Sequence, residues 1–235
     1  SPPRPRRPAR HGRIGWIEAQ LHLQQGHLAE ALRQAETGAL ESRRYKWETL
    51  PVALVTQAEC LLANMSLNKA AQLFEKTLEI SLHHPRVRAR AMLGLGRVRG
   101  AQSLFEESVT LMEKAATIFV AEADHVGEGR CLNAIGDVMR ETRRYREARD
   151  FSRAAMEVFE RLGHQIGVAD CQDDLADLFR AEGQIDRGIE WSVKSIQLYE
   201  SLGSDDSMRA RNTLALLLRD GGRPKEALIV LAQVA

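Results

Sequence analysis

Four aspartates, Asp170, Asp173, Asp174 and Asp177, form the densest group of acidic side chains in the sequence. Carboxylates this close could hold a divalent cation. A calcium loop, however, also needs a glycine at its turn and a closing glutamate, and neither follows. Helical spacing puts most of the four on one side of a helix, as a solvated or partner-facing stripe. Gly94, Gly96 and Gly100 resemble a dinucleotide loop at a glance. They read G-x-G-x-x-x-G with no strand before them, so close packing against a neighbouring helix explains them better. His83, His84, His125 and His164 fall in loops without a cysteine, carboxylate or HExxH partner at ligand spacing. Cys60, Cys131 and Cys171 are odd in number and lack CxxC spacing, which suits small core residues in a reducing compartment. No Ser/His/Asp or Cys/His arrangement stands out for nucleophilic catalysis. The expectation is no catalytic residue, no metal and no cofactor.

The elements that position the remaining polar residues come from a repeat. Gly96, Gly136 and Ala176 lie 40 residues apart, and Ala215 follows 39 later. Upstream, Ala58 precedes Gly96 by 38 and Ala19 precedes Ala58 by 39. Twelve residues after each comes a second small residue: Ala31, Ala70, Ser108, Ala148, Gly188 and Ala227. Between the two lies a turn and then an apolar residue, with glycine in three turns (Gly26, Gly183, Gly222) and the apolar anchors Leu67, Phe105 and Tyr145 in the others. Small residues midway along one helix and early in the next let two antiparallel helices approach closely. One such hairpin cannot bury its apolar stripe alone, so successive hairpins must stack. The spacing predicts units over about 14–48, 51–84, 87–123, 127–163, 167–203 and 207–235. In the fourth, the first helix runs from about Gly127 to Glu141 and the second from about Arg144 to Leu162.

The whole chain has a formal charge of +1, and four of its arginines lie in the first ten residues. No basic field therefore favours nucleic acid or an acidic membrane on the folded part. No apolar run approaches the ~18–20 residues that span a bilayer, and no secretory signal opens the chain. A cytoplasmic location is the expectation, and Asn64-Met65-Ser66 is read as a chance glycosylation sequon. Prolines flank the arginines of residues 1–10, so 1–13 is expected to be a disordered linker. At the other end, Leu228, Ile229, Val230, Leu231 and Val234 cover more than one helical face. Together with a serine at position 1, this reads as the repeat segment of a longer protein, or as an edge over 224–235 that self-associates.

The order small, x6, Gly, x, apolar, x2, small resembles the tetratricopeptide repeat from about Ile14 onward. Units of about 40 residues, with Leu162-Gly163 and Leu202-Gly203 closing the second helix, are similar to those of kinesin light chains and of sensor regions in bacterial signal-transduction proteins and transcription activators. The resemblance implies an all-α fold, a right-handed α-α superhelix of about six helical hairpins. It also implies a concave side lined by the first helix of each hairpin. Arg90 and Arg97 in unit three fall there, with Arg130, Asn133, Asp137 and Arg140 in unit four. Unit five contributes Asp170, Asp173, Asp177 and Arg180, and unit six Arg209, Asn212 and Arg219. Asn133, Asp173 and Asn212 repeat at one position and could hydrogen-bond successive peptide groups of an extended ligand. Arg140, Arg180 and Arg219 repeat at another and could grip carboxylates. The family's clamp for a C-terminal carboxylate is met only in part by Arg97, Asn133 and Arg130 and is not assigned. The function implied is a protein-interaction module, a scaffold or sensor binding a protein or peptide segment. The alternative is a ligand-sensing regulatory domain of a bacterial transcription activator or Ser/Thr kinase.

Overall fold

The computed structural model describes residues 10–44, 49–204 and 206–232, and these residues are all-α. Helices follow in sequence pairs: α1 (Arg10–Gln24) and α2 (Leu28–Arg44), α3 (Leu50–Ala63) and α4 (Leu67–Ile80), α5 (Pro85–Ala101) and α6 (Phe105–Ala121). They continue with α7 (His125–Glu141) and α8 (Tyr145–Arg161), α9 (Gln165–Ala181) and α10 (Ile185–Ser201), α11 (Ser207–Asp220) and α12 (Pro224–Ala232). Helix α1 starts at Arg10, inside the stretch read as a linker. The rest of that stretch, residues 1–9, lies outside the described residues, as do residues 233–235.

The small residues of the repeat are where the backbones meet. All twelve are buried. A Cβ added to Gly136 would stand 3.4 Å from the Ala148 carbonyl oxygen, and one on Gly188 would stand 3.0 Å from that of Ala176. Each contact joins the two small positions of one hairpin. The apolar stripes supply the burial. In α8, Ala148, Ser152, Ala155, Val158 and Phe159 recur at three- and four-residue spacing and are buried, while the opposite side carries charge.

The chain divides into two compact units, residues 1–102 and 103–235. In the first, consecutive helices from α1 to α5 pack on one another, and α1–α3 and α3–α5 contacts join the leading helices of successive hairpins. In the second, consecutive helices from α6 to α12 do the same, with α7–α9 and α9–α11 contacts. No comparable approach joins the backbones of α2 and α4, or of α8 and α10. Within each unit the leading helices therefore stand closer together than the trailing ones and make the inner side. Among the described residues no helix is long and apolar enough to cross a membrane.

Every turn inside a hairpin has one residue in the left-handed region. Glycine takes that place at Gly26, Gly183 and Gly222, but Met65, Ser103 and Arg143 take it in the other turns, with φ of 55°, 63° and 60°. The hydrogen bonds are the same either way. Gln184 N–H donates to the Phe179 carbonyl and Gly183 N–H to that of Arg180, as Arg144 N–H donates to Met139 and Arg143 N–H to Arg140. This pattern satisfies the last carbonyls of the helix and demands the positive φ. Side chains resist it by about 1–2 kcal/mol. Arg143→Gly is therefore expected to stabilise the protein by about 0.5–1 kcal/mol after the added freedom of the unfolded chain is subtracted. Gly183→Ala should destabilise it by about 1 kcal/mol. Urea midpoints of the two variants check both signs.

Candidate partner-binding face

Helices α7 and α9 are started by side chains at equivalent positions. The Asp124 carboxylate accepts from Gly127 N–H at 2.9 Å, and His164 Nδ1 accepts from Gly167 N–H at 3.0 Å. His164 is thus a helix cap, and His125 pairs with Glu128 at 2.9 Å. These caps mark matching starts for α7 and α9, one repeat apart. Eleven of the expected face residues lie on α7, α9 and α11. The other two belong to residues 1–102: Arg97 is exposed on α5, while Arg90 bonds Glu59 on α3 through Nη2 (2.6 Å) and Nε (3.1 Å). Arg90 is a strut between helices.

The polar residues of α7, α9 and α11 form links from helix to helix. Asn133 Nδ2 donates to Asp174 at 2.6 Å, and its Oδ1 accepts from the Cys171 thiol at 3.3 Å. Arg140 meets Asp177 at 3.0 Å and lies 3.8 Å from Asp137. Asp177 also holds Arg180 at 2.8 Å, and Arg180 reaches Asp220 on α11 at 3.2 Å. Arg209 on α11 donates to Asp170 (2.7 Å) and Tyr199 Oη (2.9 Å), and lies 3.4 Å from Asp173. Tyr199 Oη in turn donates to Asp170 at 2.5 Å. Arg130 and Asn212 are exposed, and Arg219 is exposed beside Asp220.

Two expectations change in the structure. Of the aspartates of α9, expected as a solvated or partner-facing stripe, Asp173 is not solvated, being only 4% exposed. Nor is the amide ladder evenly open: Asn133 is engaged at both ends by α9, Asp173 is buried, and Asn212 is the exposed member. Sequence reasoning left Asp174, Tyr199 and Asp220 out of the face. Asp174 sits one position off the repeating register and turns to α7; Tyr199 looked like plain core. The signal for Asp174 was its place four residues after Asp170.

The electrostatics follow from this packing. Burial pushes the Asp173 carboxyl up to about 6, even though Arg209 pulls it down. Burial and then the Asp137 charge push Asp174 up to about 7, against Arg209 and the hydrogen bond from Asn133. The Cys171 thiol is pushed up by burial and by Asp174, Asp170 and Asp137, and burial takes Cys60 up to about 12, so neither is poised as a thiolate. Asp173 Oδ1 is buried and has no hydrogen-bond partner. Among the described residues no group of His, Cys, Asp and Glu has the geometry of a metal site.

A tetratricopeptide repeat family model matches residues 87–161. No curated protein matches significantly. Among solved structures, a Rap protein complexed with Competence and Sporulation Factor superposes with a TM-score of 0.82 at 11% identity, over 98% of this chain and 66% of that one. BtubC (BKLC) from P. vanneervenii gives 0.65 at 16% identity, over 88% and 89% of the two chains. The apo quorum sensor NprR from B. thuringiensis gives 0.65 at 10% identity, over 95% and 63%. The chain thus spans about two thirds of the Rap and NprR chains. At these identities the likeness speaks for the fold. Matched model, buried small-residue spacing and stacked hairpins agree: residues 87–161 match tetratricopeptide repeats, and the described residues share that helical-hairpin fold.

Proposed function

We propose that this chain is an interaction module, a scaffold or sensor, that holds a protein or peptide segment on the inner side of α7, α9 and α11. The observation that carries the reading is the gathering of polar side chains from three successive leading helices on one side, about one repeat apart. Their mutual links hold them in place, so a ligand would meet a preorganised surface and would not have to order it. The exposed groups Arg130, Asn212 and Arg219 offer guanidinium forks and an amide to carboxylates and peptide groups. The Rap structure holds Competence and Sporulation Factor, and NprR is a quorum sensor; similar arrays thus serve in signalling. That likeness favours, as a second reading, a regulatory domain whose occupied face reports to an attached effector.

Selection of random dodecapeptides on the immobilised protein tests the face. Selected peptides should lose at least about tenfold in affinity when Arg130, Asn212 and Arg219 are replaced together by alanine, on the scale of two or three lost polar contacts. The same number of changes on the trailing helices, at the exposed Arg146, Arg153 and Lys194, should leave affinity unchanged. The reverse result would put the binding surface on the other side of the hairpins.

A further inference from the structure

The acid cluster on α9 holds more negative charge than its neighbours offset. Asp174 feels the charges of Asp137 on α7 and of Asp170, and the guanidinium that acts most strongly on it is Arg209; Asp173 feels Asp174 in turn. Arg209 is itself shared between Asp170, at 2.7 Å, and Asp173, at 3.4 Å. Asn133 supplies one neutral donor, to Asp174. The second carboxylate oxygen of Asp173 is left buried without a donor. Burial of this carboxylate costs desolvation energy that Arg209 and the Thr213 hydroxyl return only in part. Evenly satisfied packing would place another cation or amide beside this oxygen.

We propose that the cluster of Asp137, Asp170, Asp173 and Asp174 receives one cationic group, an ammonium or a guanidinium, from the bound segment. This rests on the inner-side reading given under Proposed function and assigns the partner's chemistry: a segment with one lysine, one arginine or a free amino terminus in register with α9. The raised carboxyls fit the assignment, since an incoming cation lowers them and their ionisation accompanies binding. The groups that face the cluster are Asn133, Asp137 and Arg140 from α7, Asp177 and Arg180 on α9, Tyr199 from α10, and Arg209 and Thr213 from α11.

The test uses two random dodecapeptide libraries on the full chain, one with free and one with acetylated amino termini. Peptides from the acetylated library should share a lysine or arginine at one position. Replacing it by glutamine should weaken binding about 10- to 100-fold, the range for a charge-assisted hydrogen bond lost in a partly buried site. Enrichment in the free library alone assigns the cation to the amino terminus. In Asp137→Asn/Asp174→Asn the glutamine penalty should vanish; Asp170→Asn, at a half-exposed position, provides a second variant. Far-UV circular dichroism checks that each is folded. Selected peptides without a common cation, or a glutamine penalty that survives both variants, overturn this inference and leave the binding face intact. Failure of both libraries to yield any binder overturns the inner-side reading, and this inference with it.

Discussion

Gly94→Ala is expected to lower stability by about 2 kcal/mol, although alanine is the better helix former by roughly 1 kcal/mol. Gly94 lies within α5, where a Cβ would stand 2.2 Å from Phe74 Cζ and 2.4 Å from its Cε1. Phe74 is fully buried on α4, so its ring cannot swing into solvent. Either the ring leaves its rotamer or the helices part, and overpacking of this kind costs about 1–3 kcal/mol or more. The steric term wins over propensity because the overlap is more than an ångström deep. In a chain of this size the loss corresponds to a fall in Tm of about 4–8 °C. A double-mutant cycle identifies the cause. Phe74→Leu alone leaves a cavity and destabilises, but in the Gly94→Ala background it should destabilise less, because the new methyl occupies part of the vacated space. Additive effects would show that the glycine serves some purpose other than admitting the ring.

Raising the pH from about 5 to 8 is expected to destabilise the fold by about 2–4 kcal/mol, through Asp173 and Asp174. Both carboxyls titrate from 3.8 in the free residue to about 6 and about 7 in the fold. Between those values the folded chain holds protons that the unfolded chain has released. The stabilisation is fully present below about 4 and is lost as pH rises through 6 and 7. Carboxylates with the opposite shift act elsewhere. Asp220, lowered by its hydrogen bond from Arg219, and Glu147 and Glu226, lowered by Arg144 and Arg223, lose their contribution only as pH falls below the ordinary carboxylate range. Thermal melts at pH 5, 6, 7 and 8 should thus show Tm falling by about 5–10 °C. The Asp173→Asn/Asp174→Asn variant should flatten the slope across that window. A wild-type Tm that rises from pH 5 to 8 would contradict the burial of these groups.

Much of the fold was legible because small residues recur where backbones must touch. The positions 38 to 40 residues apart are all buried, and the helix limits inferred for the fourth hairpin lie within two residues of α7 and α8. Less legible was how turns without glycine close. Met65 and Arg143 adopt positive φ because the terminal hydrogen bonds of the preceding helix require it, Ser103 takes it in the matching turn, and residue preference alone would have placed glycine there. The face was legible as a register and obscure as a network. Helical spacing shows that Asn133 and Asp173 point to the same side. It does not show that Asn133 reaches Asp174, or that Tyr199 crosses from α10 to Asp170, because those depend on the offset between neighbouring helices. Arg90 illustrates the same limit. Its carboxylate, Glu59, stands 31 residues upstream on α3, a distance in sequence that no single-helix pattern encodes.

Contacts in residues 103–235 join helices that are next to each other or next but one in the chain. Loops closed in this way are short, so each hairpin can add to its neighbour with little further loss of chain entropy. Such an array opens from its ends, hairpin by hairpin, as much as all at once. Helix α12, with Ala227 as its buried residue, is the lightest of these steps. A segment lying across α7, α9 and α11 would touch three hairpins together and bind only while all three are closed. Occupancy would turn a series of separately fraying modules into a single cooperative block, and a bound segment would be felt as rigidity at an edge it never touches.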